Sequence, residues 1–257
     1  MKGEPALNVE QLTVSYEKTP VLWDISLGVP QGELVGILGP NGAGKSTFLK
    51  ALLGFLSPIA GRVSFFGKPY SEVRNKIAYV AQKESIDWDF PITVRELVLM
   101  GRYGELKLFQ RPRKADYDAV DHYLTLVGLA EFSHRQINEL SGGQKQRAFL
   151  ARALIQEADL YLFDEPFIGI DAATENVMIQ IFRKLIEQGK TVFVVHHDLN
   201  AVEKLFSWVI LLNLRLVSCG KTSDAFNADY LSLAYGKSYE LLDEASKLAF
   251  KKFGGGV

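Results

Sequence analysis

Gly39-Pro40-Asn41-Gly42-Ala43-Gly44-Lys45-Ser46 decides how this chain is read. The stretch satisfies G-x-x-x-x-G-K-[ST] at every fixed position, and its flanks have the character that pattern needs. Leu34-Val35-Gly36-Ile37-Leu38 before it is a short apolar run of buried-strand type. Residues 47–56 after it, opening with Thr47, carry Phe48, Leu49, Leu52, Leu53 and Leu56 at helical spacing. Glycines let the backbone turn its N–H groups inward, and the N-terminus of the following helix adds partial positive charge, so strand, loop and helix make an anion cradle. Lys45 is placed to reach the β- and γ-phosphates of a nucleoside triphosphate, and the Ser46 hydroxyl to ligate magnesium. A glycine-rich turn matching by chance would lack the strand and helix on either side.

The bulk composition narrows the partners. The chain has 257 residues, 47% hydrophobic and 23% charged, which is globular material with length for one large core or two smaller ones. A formal net charge of −1 provides no basic field for nucleic acid or an acidic membrane. The single cysteine, Cys219, excludes an internal disulfide and a thiolate zinc cluster, as suits a reducing compartment. It is read as a packed residue of a strand over 211–220 rather than as a reactive thiol. The N-terminus lacks an apolar signal core, and no apolar run approaches the about 20 residues of a spanning helix. A cytoplasmic protein is expected.

Outward from the phosphate loop, residues 7–37 read as β structure, with Leu7, Val9, Leu12, Val14 and Tyr16 near alternate positions and a second run over 21–29. Residues 63–66 look like a strand before Gly67-Lys68, and 77–80 like a short strand ending at Gln82. The texture then changes. Thr93-Val94-Arg95-Glu96 is a capping-box pattern opening an amphipathic helix through Met100, and a second helical pattern runs over 117–129 to a stop at Gly128. Leu160–Phe163 and Thr191–Val195 resume the strand pattern, separated by a helical face over 174–188. Alternation of this kind predicts a three-layer α/β fold with a parallel sheet, preceded by an antiparallel β subdomain and interrupted by a helical insertion. The expected division is 1–85 (β subdomain and first part of the nucleotide-binding core), 86–155 (helical), 156–220 (second part of the core) and 221–257 (a tail with a helix-like stretch over 239–253).

Two later segments choose among phosphate-binding proteins. Leu160–Phe163 runs directly into Asp164-Glu165-Pro166; a buried strand ending in a carboxylate beside the phosphate loop places Asp164 to hold magnesium and Glu165 to orient or deprotonate the attacking water. Leu140-Ser141-Gly142-Gly143-Gln144-Lys145-Gln146-Arg147 opens a second helix, with Ser141 and the Gly142 and Gly143 amides forming another N-terminus suited to an anion. A plain helix N-cap is the alternative for that turn.

This LSGGQ-x-Q-R segment closely resembles the signature of ATP-binding cassette (ABC) ATPases, and the resemblance covers the chain to about residue 220. It implies a P-loop core of RecA-like type, ATP and Mg2+ as ligands, and a head-to-tail dimer in which each ATP lies between the phosphate loop of one chain and the signature, Ser141 to Gln144, of its mate. Matched one at a time, Tyr16 resembles the aromatic that stacks on adenine, with strand-end packing as its rival. Gln82 resembles the Q-loop glutamine at magnesium and the attacking water, or is an ordinary loop amide. Asp171 resembles the aspartate that crosses the dimer interface, and capping the next helix is compatible with that. In Val195-His196-His197-Asp198 the second histidine, His197, resembles the switch residue at the γ-phosphate; its neighbour points to the opposite face and is assigned to packing.

Length and composition separate the cassettes. The interval from Lys45 to Ser141 is too short for coiled-coil arms, zinc cysteines are absent, and one copy of each motif is present. Ser85-Ile86-Asp87-Trp88-Asp89-Phe90-Pro91-Ile92-Thr93-Val94, Leu99-Met100-Gly101-Arg102-Tyr103-Gly104 and Asp164-Glu165-Pro166-Phe167 resemble the bacterial uptake group for manganese, zinc and iron. So do Asp171-Ala172-Ala173-Thr174-Glu175 and Val194-Val195-His196-His197-Asp198-Leu199. The resemblance implies a motor subunit peripheral on the inner face of the cell membrane, multi-spanning permease subunits contacted near Trp88-Asp89-Phe90-Pro91, and an extracytoplasmic metal-binding protein. Packing within the helical insertion is the rival reading for that aromatic stretch. A solvated face is the reading for the basic run from Arg102 to Lys114. A non-transport cassette acting as a nucleotide-switched regulatory or adaptor module is the alternative function.

Overall fold

The computed structural model describes residues 4–16, 19–82, 90–104, 106 and 110–236, with backbone alone at 16, 19 and 20. Strands β1 (Leu7–Tyr16), β2 (Thr19–Val29) and β4 (Ala60–Ser64) form an antiparallel sheet in the order β2-β1-β4. A second sheet has the order β5-β6-β7-β3-β8-β9, from β3 (Leu34–Leu38), β5 (Ile77–Val80), β6 (Leu160–Phe163), β7 (Thr191–Val195), β8 (Trp208–Asn213) and β9 (Arg215–Lys221). All neighbours are parallel except β8 and β9.

The strands β3, β6 and β7 read as unbroken apolar runs because both faces of the sheet are covered. Alternation decides which core each residue enters. Val35, Ile37, Leu160 and Leu162 face the antiparallel sheet and α1 (Lys45–Leu52), whereas Leu34, Leu38, Tyr161 and Phe163 face the opposite, helical layer. The chain thus builds two cores back to back on one sheet. The C-terminal ends of β3, β5, β6 and β7 lie at one edge, the position where parallel sheets bind ligands.

Short helix α2 (Tyr70–Val73) precedes β5. Helices α3 (Val94–Leu99), α4 (Lys114–Leu126) and α5 (Gly142–Leu154) form the predicted insertion and share the second core. The Thr93–Glu96 capping box is formed: Glu96 N–H donates to Thr93 Oγ1 at 3.3 Å and Thr93 N–H to Glu96 Oε2 at 2.8 Å. Helix α4 starts three residues before the predicted 117, because Asp116 closes a cap on the Arg113 N–H at 2.7 Å. Arg102 departs from the solvated reading of the basic run. It turns inward, donating to Asp116 Oδ1 and to the Ile155 carbonyl, each at 3.3 Å. Helix α6 (Ala172–Glu187) connects β6 to β7, and α7 (Val202–Leu205) leads to β8.

The predicted single strand over 211–220 is instead the tight β8–β9 hairpin turning at Leu214, and Cys219 lies half-buried on β9. Helices α8 (Thr222–Ala225) and α9 (Ala228–Tyr235) follow. The predicted helix over 239–253 and the residues from Ser85 through Asp89 lie outside the described residues. No helix among the described residues is long and apolar enough to cross a membrane.

Candidate functional site

The loop after β3 turns with φ of +81° at Gly42 and +89° at Gly44, where Gly44 serves as N-cap of α1. Pro40 is half-buried, Asn41 and Gly42 are exposed, Ala43 and Thr47 are buried, and Ser46 is half-buried. Lys45 is only 6% exposed, and its ammonium donates to the Gly39 carbonyl at 2.8 Å and the Pro40 carbonyl at 3.0 Å. Burial pulls its pKa below the usual lysine value, opposed by the nearby Glu165 and Asp164 carboxylates. A buried cation held by neutral acceptors is a site prepared for an anion.

The end of β6 brings two carboxylates to this loop. Asp164 is 2% exposed and accepts from the Ser46 hydroxyl at 3.3 Å. Burial pushes its pKa up to about 6, with the Ser46 hydrogen bond opposing and Glu165 adding to the rise. A hydroxyl beside a buried carboxylate is a hard-oxygen donor set that fits a divalent cation. Glu165 follows at φ +55°, and its Oε2 accepts from Gln82 Nε2 at 2.8 Å. Exposed His197 follows β7, while His196 packs inward between Phe167 and Phe206, both at 5.6 Å between ring centroids.

Val21, Asn41 through Thr47, Gln82, Glu165, Ile168 and His197 line one open cleft of about 610 Å³, within the size range of small-molecule sites. The sequence-predicted Lys45, Ser46, Gln82, Asp164, Glu165 and His197 are therefore gathered at one place. Tyr16 ends β1, and its side chain lies outside the described residues.

The signature turn is elsewhere. Among the described residues none from Ser141 to Gln144 lines that cleft. Ser141 is exposed and caps α5: Gln144 N–H donates to its Oγ at 3.3 Å, and its own N–H donates to Gln144 Oε1 at 2.8 Å. Gly142 is half-buried and Gly143 buried. A Cβ on Gly143 would stand 2.8 Å from Thr174 Oγ1 and 3.2 Å from Asp171 Oδ2, so only glycine lets this turn lie on the start of α6. Asp171 is exposed and caps α6, accepting from Thr174 N–H at 2.8 Å and Thr174 Oγ1 at 3.0 Å. Both caps face solvent.

Sequence reasoning missed a groove of about 400 Å³ between the core and the helical insertion. Phe55, Tyr79, Met100 and Arg152 line it, and Phe55 is 62% exposed. Arg152 stacks its guanidinium on Phe149 at 5.5 Å. These residues are scattered along the sequence, and an exposed Phe55 just past the phosphate helix was the signal available.

The family pattern described as ABC transporter matches residues 22–168 of this chain. The manganese transport system ATP-binding protein MntB of Bacillus subtilis is 51% identical over 230 residues, spanning 90% of this chain and 92% of that protein. The zinc transport system ATP-binding protein TroB of Treponema pallidum is 49% identical over 231 residues, spanning 90% and 87%. A solved dimeric ATP-binding cassette in a post-hydrolysis state with ADP and Pi superposes with a TM-score of 0.75 at 28% identity, covering 84% of this chain and 98% of that one.

Proposed function

The chain belongs to the ATP-binding cassette (ABC) transporter family, and on that premise we propose that it is the ATP-hydrolysing motor of a transition-metal importer. Manganese or zinc is the cargo the relatives' names point to, and iron is added by the uptake group the sequence resembles. The observation that carries the reading is the gathering of Lys45, Ser46, Gln82, Glu165 and His197 on a cleft that the signature turn does not line.

ATP lies with its phosphates along residues 39–47 and its adenine against Tyr16. Lys45 exchanges its two carbonyl acceptors for β- and γ-phosphate oxygens, which pair its buried charge. Ser46 and Asp164, with Gln82 beside them, are the residues that would hold Mg2+, which when bound draws charge from the phosphate oxygens. Glu165 takes a proton from the attacking water, Gln82 holds the Glu165 carboxylate, and His197 reaches the γ-phosphate from the cleft wall.

A second copy supplies the other half of the site through its Ser141, Gly142, Gly143 and Gln144, while Asp171 crosses the interface. ATP binding then favours closure, and loss of the γ-phosphate releases the two halves. The permease subunits are driven through the groove at Phe55 and Arg152, and the resemblance adds the Trp88-Asp89-Phe90-Pro91 stretch as a contact. An extracytoplasmic metal-binding protein delivers the ion, and the motor works on the inner face of the membrane.

Co-expression with the flanking genes tests this. A multi-spanning permease should co-purify from detergent, and proteoliposomes should accumulate manganese, zinc or iron when ATP is supplied. ATP hydrolysis with no accumulation of any of the three would sink the importer.

A further inference from the structure

The phosphate loop is held from behind by the C-terminal part of the described chain. In the hairpin between β8 and β9, Asn213 stands opposite Arg215 and Leu214 makes the turn. Leu214 takes φ +59°, a left-handed conformation uncommon for leucine. Its N–H donates to the Ala43 carbonyl at 3.1 Å, and its own carbonyl accepts from the Trp23 N–H at 2.8 Å. One turn residue therefore bonds the phosphate loop and β2 at the same time.

The start of the loop is backed as closely. A Cβ on Gly39 would stand 2.1 Å from the Leu212 carbonyl oxygen, so the loop lies directly on the end of β8 and tolerates no side chain there. Asn213 Nδ2 donates to the Ala234 carbonyl at 3.0 Å and so ties the hairpin tip to the last turn of α9. The Gly39 carbonyl is meanwhile an acceptor for Lys45. When a triphosphate draws Lys45 away, the Gly39 carbonyl loses that partner, and the Leu214–Ala43 hydrogen bond is the tie that remains from the hairpin.

We propose that Asn213 and Leu214 are positioning residues for ATP, clasping the back of the phosphate loop so that its amides are aimed before the nucleotide arrives. The inference rests on reading that loop as the ATP site. Neither lines the cleft, so they act through Ala43. Donors fixed in advance need no reorganisation when charge arrives, and loosening them weakens binding. Glu165 hangs from β6, which is separated from β3 by β7, so proton transfer does not depend on the clasp.

Two full-length variants test it. Asn213→Asp keeps the side chain's shape and removes its donor; Asn213→Ala cuts the tie to α9 outright, at an exposed position where little packing is lost. Each should raise the KM for ATP and the Kd of a fluorescent ATP analogue about fivefold, the scale of one hydrogen bond, with kcat and the nucleotide-free Tm close to those of the parent. A parent that binds ATP, with both variants matching its KM and Kd, overturns the inference alone. So does a fall in kcat that tracks a lowered nucleotide-free Tm, which is general loosening. A parent that does not bind ATP overturns the functional reading and this inference with it.

Discussion

Gln82 holds Glu165: its Nε2 donates to Oε2 at 2.8 Å, joining the loop after β5 to the loop after β6. Val80 is the register partner of Phe163, so the two side chains leave adjacent parallel strands at the same height. Glu165 also takes φ +55°, a conformation that costs a non-glycine residue on the order of 1–3 kcal/mol and persists when its surroundings fix it. Glu165→Gln keeps the shape and loses the base. ATP binding should be retained and kcat should drop by at least about 100-fold. Gln82→Ala, which frees the carboxylate without removing it, should lower kcat by about 10-fold or more at a nearly unchanged KM for ATP. Steady-state phosphate release checks both, and near-parental turnover of Glu165→Gln would remove it as the base.

Asp171 separates a structural duty from an intermolecular one. Its carboxylate caps α6 through Thr174, whose backbone and side-chain hydrogen bonds hold its pKa below the usual carboxylate value. Asp171→Ala loses the cap and should lower the urea unfolding midpoint below the parent's. Asp171→Asn retains capping ability and should unfold like the parent while hydrolysing ATP more slowly. If Asp171→Asn matches the parent in both stability and rate, the residue is a cap and nothing more.

Much of this site was legible because its chemistry is local. The phosphate loop, Asp164 with Glu165, the Thr93 capping box and the helix N-terminus at Ser141 are each contained within a few residues, where backbone geometry dictates residue type. What failed was long-range or contrary to turn preference. The strand order β5-β6-β7-β3-β8-β9 depends on contacts far apart in sequence. The β8–β9 turn was hidden because Leu214 occupies a left-handed position that glycine or asparagine normally marks. Arg102 was misjudged within a basic run because its partners, Asp116 and Ile155, belong to other elements.

His196 should make the fold sensitive to acid. It is 3% exposed, its Nε2 is buried without a hydrogen-bond partner among the described residues, and burial, with His197 beside it, holds its pKa below the ordinary 6.5. The nearby Asp198 opposes that shift. The unfolded chain then binds the proton more readily than the folded one. The stability tied to this group is complete above pH 6.5 and is lost as pH falls through the lower folded value. Leucine is close to histidine in volume and does not titrate. Thermal melts of His196→Leu between pH 7.5 and 5 should therefore fall less steeply than the parent's, whereas parallel curves would show that another group governs acid sensitivity.

Mixing two disabled chains distinguishes a shared site from a self-contained one. Lys45 lies in the cleft whereas Ser141 stands exposed on another turn, so a site completed between copies needs one residue from each. Place Lys45→Ala in one chain and Ser141→Arg in the other, both in a Glu165→Gln background that prevents turnover. Alone, each variant lacks a lysine or a serine at every composite site and should stay monomeric with ATP. In the mixture, the lysine of the Ser141→Arg chain meets the serine of the Lys45→Ala chain, restoring one site of two. Gel filtration should then reveal an ATP-dependent heterodimer trapping about one nucleotide per pair, the stoichiometry a two-fold arrangement demands. A site complete within one chain predicts the reverse: Ser141→Arg alone would trap nucleotide as the parent does, and mixing would add nothing.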